Sequence, residues 1–152
     1  MPSTSFSFGN NKEEEELVCE CLKTRAERHR LIGKKWILGD WDCSKFIKQL
    51  WDDCGIALLR CTSADYAEGK CGFNTVIVKL NERDECDFSF FTFPSKKGKT
   101  RKFGHTGMQK NKEQIYHNST GRKRVVLDWI TWGTYMRKYL KRTRRLNPNR
   151  GK

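Results

Sequence analysis

The spacing of the apolar residues changes near Ile56, and this change most constrains the fold. Before it, apolar residues recur at helical spacing and predict two helices, over residues 13–29 and 44–53. After it, short β-branched or aromatic runs are bounded by polar residues and glycines, which predicts strands. The predicted strands span residues 56–59, 75–80, 87–93, 101–105, 113–117, 122–129 and 134–140, with a turn over residues 94–99.

The order of these elements predicts the fold class. No strand–helix–strand alternation is visible, so the strands are expected to pair antiparallel. The sequence therefore predicts an α+β fold, a twisted antiparallel sheet flanked by a few helices. At 152 residues a single domain is expected over residues 1–146, followed by a basic tail over residues 147–152 that is expected to be disordered.

Positive charge is concentrated in the C-terminal third of the chain. Residues 1–94 carry 13 basic and 16 acidic residues, whereas residues 95–152 carry 18 basic residues and only Glu113 and Asp128 as acids. A charge asymmetry of this size favours a polyanionic partner, because each phosphate paired with Lys or Arg releases condensed counterions. Between residues 96 and 140 the basic residues alternate with aromatic and β-branched ones, which favours a folded basic surface. The basic residues beyond this stretch are expected in a frayed end: Arg142, Arg144, Arg145, Arg150 and Lys152.

Seven cysteines occur, and none forms a Cys-x-x-Cys pair. An odd number without an export signal predicts free thiols in a reducing compartment, with Cys19 and Cys54 as small buried apolar residues. A zinc site assembled from scattered ligands stays open as an alternative. No apolar run has the roughly 18–20 residues of a membrane span, so a soluble intracellular protein is expected. Neither a cofactor nor a bound metal is expected.

Enzyme signatures are missing from the sequence. It contains no glycine-rich phosphate loop, no serine nucleophile elbow and no metal-binding histidine pair, which predicts that the chain is not an enzyme. His105 and His117 are interpreted as residues that contact phosphate or fill strand positions. Trp129, Trp132 and Tyr139 are interpreted as core aromatics. Four aspartates of the helical half are interpreted as part of a solvated face: Asp40, Asp42, Asp52 and Asp53.

Several segments, taken in order, resemble the NAC domain, the DNA-binding module of a plant transcription-factor family. Residues 6–8 with 15–18 are similar to the family's opening F-R-F-H-P-T-D-E-E-L-V, and residues 86–91 to its E-W-Y-F-F strand. Residues 103–110 (FGHTGMQK) are similar to W-K-A-T-G-x-D-K, residues 121–129 to G-x-K-K-T-L-V-F-Y, and residues 136–139 to M-H-E-Y. The chain departs from the pattern at Ser7, which replaces the arginine of the family's dimer salt bridge, and at Phe103 and Gly104, which replace Trp and Lys.

The resemblance implies sequence-specific binding of double-stranded DNA in the nucleus, with the ribbon 103–110 in the major groove and a homodimer or a heterodimer with NAC proteins. Arg101, Lys102 and Lys110 are expected to hold phosphates, while His105, Thr106 and Gln109 face bases. The complete set expected to contact DNA is Lys96, Lys97, Lys99, Arg101, Lys102, Gly104, His105, Thr106, Gln109, Lys110, Arg122, Lys123 and Arg124.

Two other interpretations remain open at this stage. One is a small basic protein that binds RNA or single-stranded DNA without reading sequence, with exposed aromatics that stack on bases. The other is a NAC-like interaction module that has lost specific DNA reading and acts by pairing with other NAC proteins.

Overall fold

The computed structural model describes residues 12–73, 75–95 and 100–146. Three helices come first: α1 (Lys12–Ile32), α2 (Cys43–Asp53) and α3 (Ser63–Ala67). A six-stranded sheet follows, with α4 (Tyr135–Tyr139) before its last strand. The strands are β1 (Thr75–Val78), β2 (Phe88–Phe91), β3 (His105–Gln109), β4 (Gln114–Ser119), β5 (Arg124–Trp129) and β6 (Leu140–Leu146). The predicted α+β class, with an antiparallel sheet and a few helices, is confirmed.

The sheet has the strand order β1-β6-β2-β3-β4-β5, and every neighbouring pair is antiparallel. The last strand, β6, is therefore inserted between β1 and β2 rather than added at an edge. Along the other half of the sheet, β2, β3, β4 and β5 pair in chain order. This half brings residues from β3, β4 and β5 side by side, and it forms the surface on which α2 packs.

The main core lies between the helices and one face of the sheet. Successive strand residues point to opposite faces, so Phe90 belongs to this core while Phe91 belongs to a smaller cluster on the other face. The apolar stripe of α2 contributes Phe46, Leu50 and Trp51 to the main core. The second cluster comprises Phe91, Ile115, Ile130 and Leu140 with Leu80, Phe93 and Met136.

Three predicted strands are wrong in detail. Residues 56–59 form no strand, although Leu59 donates a backbone hydrogen bond to Cys71. Residues 101–104 form a turn, and the strand begins at His105 instead. Residues 135–139 form α4 because the Thr134 side chain accepts a hydrogen bond from the backbone N–H of Arg137 and caps the helix.

Arg142, Arg144 and Arg145 do not form a frayed end, which corrects that expectation, while Arg150 and Lys152 lie outside the described residues. Arg145 makes two hydrogen bonds to the buried carboxylate of Asp87, at 2.7 and 2.8 Å. Arg144 donates to the carbonyl of Ala67 at 2.6 Å, and Arg142 pairs with Glu68. These side chains hold β6 against the preceding elements.

The prediction of free thiols fails for four of the cysteines. Disulfides join Cys19 to Cys86 and Cys21 to Cys54, across Cα–Cα distances of 5.6 and 5.9 Å. Both bonds begin on α1, one fixing it to the segment before β2 and the other to the C-terminal end of α2. The free thiols are those of Cys43, Cys61 and Cys71.

Two of the three expected core aromatics are exposed: 58% of Trp129 and 84% of Trp132 is accessible to solvent. They lie at and just beyond the end of β5, outside both apolar clusters. Among the described helices, none is long and apolar enough to cross a bilayer. The single domain over residues 1–146 and the basic tail over residues 147–152 stay predictions, since residues 1–11 and 147–152 lie outside the described part. The same holds for Phe6, Ser7 and Phe8 of the NAC-like opening.

Candidate active site

Cys43 is the first residue of α2, and its side chain lies against β3. The Sγ atom is 3.9 Å from the carbonyl oxygen of Gly104, and the residue is 9% exposed. The fold therefore places a thiol at the N-terminus of an 11-residue helix, directly beside the residue that precedes His105. Helix N-termini carry partial positive charge and unpaired N–H groups, and both stabilise negative charge that forms there.

Asp42 fixes the start of this helix. Its carboxylate accepts hydrogen bonds from the backbone N–H groups of Lys45 and Gly39 and from the Ser44 hydroxyl, each at 3.0 Å. Burial favours the neutral acid, but these hydrogen bonds and the Arg60 charge outweigh it and lower the pKa of Asp42. Asp42 is thus an ionised N-cap, which corrects its assignment to a solvated face.

A line of hydrogen bonds crosses the three strands next to Cys43. His105 Nε2 and His117 Nδ1 are 2.8 Å apart, and His117 Nε2 is 2.7 Å from Asp128 Oδ2. Asp128 in turn pairs with Arg122 through both of its carboxylate oxygens. His105, His117 and Asp128 come from β3, β4 and β5, so strand pairing sets their spacing.

The charge of Asp128 determines which ring nitrogens carry protons. The hydrogen bond from His117 lowers the pKa of Asp128 to about 2, and Arg122 adds to this shift while burial opposes it. The carboxylate can therefore only accept, so His117 Nε2–H must donate to it. If His117 carries no proton on Nδ1, that atom accepts, and His105 donates to it from its Nε2–H. This leaves His105 Nδ1 with a free lone pair, which is what a general base needs.

Burial keeps both members of the thiol–imidazole pair neutral at rest. It raises the pKa of Cys43 to about 11, although hydrogen bonding from the backbone of Thr106 opposes the shift. It also lowers the pKa of His105 to about 3, and the neighbouring His117 acts in the same direction. A thiol with this pKa carries almost no negative charge at neutral pH, so a base must remove its proton as it reacts.

Gly107 lets the two histidines approach. A Cβ atom there would lie 2.7 Å from the carbonyl oxygen of Tyr116 and 2.9 Å from Cβ of His117, both too close. The absent side chain therefore lets β4 lie near enough to β3 for the 2.8 Å hydrogen bond between the rings. On the other side, the ring of Phe93 lies 5.6 Å from that of His105 and covers it with apolar surface.

Two cavities open on either side of His105. One has a volume of about 490 Å³ and is lined by Cys43, Ser44 and residues 60–64. The other has a volume of about 680 Å³ and is lined by His117, Asp128, Phe93 and Tyr135. Arg101, Gly104, His105 and Thr120 line both, so the cavities meet at the catalytic candidates. An extended substrate can thus lie across the thiol with contacts on both sides.

The residues expected to contact DNA lie in three different environments. Gln109 and Thr106 are fully buried and His105 nearly so, which corrects the expectation that these side chains face bases. Gln109 donates to the carbonyl of Asn111, and Thr106 donates to that of Ser89. Lys110 is half-buried, and Lys96, Lys97 and Lys99 lie outside the described residues. The exposed members are Arg101, Lys102, Gly104, Arg122, Lys123 and Arg124.

Sequence reasoning did not assign catalytic roles to Cys43, His117 or Asp128. The available signal was a cysteine between an N-cap aspartate and a predicted helix, followed by histidines on two successive predicted strands. A thiol, an imidazole and a third polar group are the parts of a nucleophilic site, but they meet only in the folded chain. His105 is a predicted site residue, but its predicted role is contact with DNA.

Solved structures with the same architecture include several bacterial proteins. An NLP/P60-family protein from Staphylococcus aureus, described as similar to lipoprotein, superposes with a TM-score of 0.66 and 18% identity, over 96% of this chain and 45% of that one. An NLPC/P60-family protein from Bacillus cereus gives 0.66 and 20%, over 86% and 40%. The peptidoglycan hydrolase RipB from Mycobacterium tuberculosis gives 0.68 and 13%, over 95% and 72%. This chain has an NlpC/P60-like fold.

The chain spans less than half the length of the first two of these proteins. Neither a protein-family model nor a curated protein matches its sequence. The solved structures with the NlpC/P60 fold overturn the NAC resemblance, and with it the plant origin and sequence-specific DNA binding. The expected partners, double-stranded DNA and NAC proteins, are wrong for the same reason. The nuclear location is wrong as well, and so are the two alternatives, nucleic-acid binding and interaction with NAC proteins. The expectation that the chain is not an enzyme is contradicted by neighbours named as peptidoglycan hydrolases.

Proposed function

We propose that this chain is a cysteine-dependent hydrolase that cleaves amide bonds in the peptide part of peptidoglycan. The observation that carries the proposal is the hydrogen-bonded line His105–His117–Asp128, which ends beside the thiol at the start of α2. The named activity of two neighbours with this fold, RipB and SagA, supports the choice of substrate.

The first step follows from the protonation states. His105 Nδ1 takes the proton of the Cys43 thiol while Sγ attacks the carbonyl carbon of the scissile amide. The carbonyl oxygen becomes an oxyanion, and the backbone N–H groups at the N-terminus of α2 stabilise it. The protonated His105 then gives its proton to the leaving nitrogen, and an acyl-enzyme remains on Cys43.

The second step returns the enzyme to its starting state. His105 Nδ1 accepts a proton from a water molecule, and the resulting hydroxide oxygen attacks the thioester carbonyl. The C–S bond then breaks, the new carboxylic acid leaves, and His105 returns the proton to the Cys43 thiolate. During each step the imidazolium form of His105 is short-lived and disfavoured by burial. The Asp128 carboxylate, acting through His117, holds His105 in the tautomer that can accept a proton and stabilises the positive charge.

Charged side chains at the rim of the cavities suit a substrate that bears carboxylates. Arg101 lines both cavities, and Lys102 lines the one that contains Cys43. Neither has a carboxylate partner among the described residues, unlike Arg60 and Arg122 at the same rim. The stem peptides of peptidoglycan carry free carboxyl groups, and these give the two unpaired cations a partner.

Release of new amino groups from purified peptidoglycan tests the proposal. The wild-type protein is expected to release amines and soluble fragments, whereas Cys43→Ala releases at least about a thousandfold less. Cys71→Ala is the matched control, because it removes another buried free thiol that lines neither cavity beside His105. Equal release by wild type and Cys43→Ala, or loss of release in the control alone, would contradict the proposal.

A further inference from the structure

A third cavity lies away from the active site, at the end of the β4–β5 hairpin. It has a volume of about 360 Å³ and is lined by Asn81, Arg83, Lys112, Glu113, Trp132 and Arg137, together with Thr131. None of these residues lines either cavity beside His105. We call it the Trp132 pocket.

Arg83 forms the floor of the Trp132 pocket and is unusual for a buried cation. It is 94% buried, and it has no carboxylate partner among the described residues. Its Nη1 and Nη2 donate to the carbonyl oxygens of Leu80 and Ile130, at 2.7 and 3.3 Å, while its buried Nε has no partner. Burial and the neighbouring Arg137 charge lower the pKa of Arg83, and the Glu113 carboxylate opposes this shift without forming an ion pair with it. An incoming anion would supply the direct partner that the guanidinium lacks.

The charges around Arg83 add to this preference. Lys112 and Arg137 line the pocket with Arg83, while Glu113 is the single acid among the lining residues. The lining therefore carries a net charge of two positive units, counted from its ionisable side chains. Since surface charges are screened by water and salt, the buried Arg83 has the strongest pull on a ligand that enters.

Trp132 provides a flat surface beside these cations. The guanidinium of Arg137 lies over the indole at 4.0 Å from the ring centroid, and 84% of the residue still faces solvent. The turn that presents it is fixed by two hydrogen bonds, from Thr134 N and Thr134 Oγ1 to the Thr131 carbonyl, and by Gly133 at a φ of +90°. The free face is thus held open rather than left on a flexible segment.

We propose that the Trp132 pocket binds an acidic sugar. The C–H face of a pyranose ring packs on an indole, because the negative face of the indole attracts the weakly positive C–H hydrogens of the sugar. The sugar carboxylate then reaches the Arg83 side of the pocket, and Asn81 and Thr131 offer hydrogen bonds to hydroxyl groups. A cavity of this size is at the lower end for small-ligand sites, which suits one or two sugar rings rather than a long polymer groove.

This inference goes beyond the proposed hydrolase activity and does not depend on it. A second binding point for an anionic glycan would hold the enzyme on a carbohydrate-rich surface while the active site acts elsewhere. The expected effect is therefore on attachment, and cleavage of small soluble peptides is expected to be unchanged.

Binding to a hyaluronan tetrasaccharide tests the proposal, measured by calorimetry with Cys43→Ala protein so that no hydrolysis interferes. The expected results are binding of the tetrasaccharide and at least a tenfold weaker affinity for its methyl ester, in which the carboxylates are neutral. Trp132→Ala is expected to weaken binding by about tenfold and Arg137→Gln by about threefold. Trp129→Ala and Lys138→Gln are the matched controls, because they change an exposed Trp and an exposed cation outside the pocket.

Three outcomes would overturn the acidic-sugar assignment. The first is equal binding of the tetrasaccharide and its methyl ester, and the second is equal loss of affinity in the pocket variants and the matched controls. The third is tighter binding of an oligothymidylate than of the tetrasaccharide, with the same dependence on Trp132, which would identify the pocket as a site for nucleotides. Failure of any of these tests leaves the release of amines from peptidoglycan untouched, so the two proposals fail separately.

Discussion

Two networks of buried polar side chains cross the same sheet, and they differ in where they end. Ser89, Gln109 and Thr143 are fully buried on β2, β3 and β6, joined by hydrogen bonds of 2.7 and 2.9 Å. This network ends on the carbonyl of Asn111, and none of its three members lines the cavities beside His105. The hydrogen-bonded line from His105 to Asp128 opens onto both cavities.

The difference shows that burial alone does not distinguish a structural polar group from a candidate catalytic one. The Ser89–Gln109–Thr143 network is satisfied internally, as the cost of unpaired buried polar groups requires, whereas the other line leaves His105 Nδ1 free to accept a proton. Only the His105–His117–Asp128 line includes groups that change protonation. Only this line lies next to the Cys43 thiol and to cavities that can hold a substrate. Mutations should accordingly reduce the rate in one network and the stability in the other.

The largest effect is expected for Asp128→Asn. An asparagine can donate its amide N–H to His117 Nε2, which favours the wrong tautomer along the whole line, so kcat should fall by about 10²–10⁴. Asp53→Asn is the matched control, because Asp53 also pairs with a histidine, His29 at 3.1 Å, but outside the cavities. Turnover on peptidoglycan and a thermal melt measure the two effects. A rate within a few-fold of wild type would show that the carboxylate has no part in catalysis.

The protonation state of Cys43 predicts the next effect. With the pKa of this buried thiol at about 11, the thiolate fraction rises about tenfold per pH unit between pH 7 and pH 9. Alkylation of Cys43 by iodoacetamide, followed by mass spectrometry in a Cys61→Ala, Cys71→Ala background, should rise with the same slope. A short unstructured peptide with one cysteine is the reference, since its rate levels off above the ordinary thiol pKa of about 8.5. A profile that is flat over this range would instead indicate a preformed thiolate–imidazolium pair.

The structural network should respond in stability. Gln109→Leu keeps the volume but leaves the Ser89 hydroxyl and the Asn111 carbonyl without their partner, which should cost about 2 kcal/mol of unfolding free energy. Urea denaturation measures this loss, and turnover per folded molecule should stay within about twofold. Gln114→Leu, on the partly exposed end of the same hairpin, should cost less than about 1 kcal/mol. Equal losses in the two variants would remove the distinction between the networks.

His105 should also contribute to the acid sensitivity of the fold, gradually with each pH unit. Its pKa is lowered by burial to about 3, whereas an unfolded histidine titrates near 6.5. Between these values the unfolded chain binds more protons, so stability falls as the pH drops, by at most about 1.4 kcal/mol per unit. Above about pH 6.5 the contribution is complete and constant. His105→Gln should flatten the slope of unfolding free energy between pH 6 and pH 4, and parallel slopes for both proteins would refute the assignment.

Part of the fold follows from local pattern. Periodicity predicts α1, α2, β1, β2, β4 and β5 within a few residues, whereas it misses α3 and β6 and assigns α4 to a strand. The active site did not follow, since it depends on contacts between residues that are distant in the sequence. Between Cys43 and His105 lie the rest of α2, then α3, β1 and β2, and the packing of α2 on β3 brings the two residues together. The aromatic strand at Phe88–Phe91 and the Gly-His-Thr-Gly sequence suited both a DNA-binding sheet and a hydrolase, so motif similarity selected the wrong one.

The strand β6 illustrates a second limit. Its sequence, LKRTRRL, looks like a solvated basic end, and its arginines have partners only because β6 is inserted between β1 and β2. The ion pair between Arg145 and Asp87 links residues 58 positions apart. No local rule predicts such a pairing, since the favourable energy exists only once the strand order is set.

The two disulfides that fix α1 have a consequence for the chemistry of the nucleophile. Folding requires four cysteines to find their partners while Cys43 is present as a competitor in the same chain. Thiol–disulfide exchange needs a thiolate, and the high pKa and burial of Cys43 make its thiolate scarce and inaccessible once α2 has packed on β3. The environment that keeps the Cys43 thiol protonated therefore also protects the Cys19–Cys86 and Cys21–Cys54 pairing from exchange with this free thiol of the same chain.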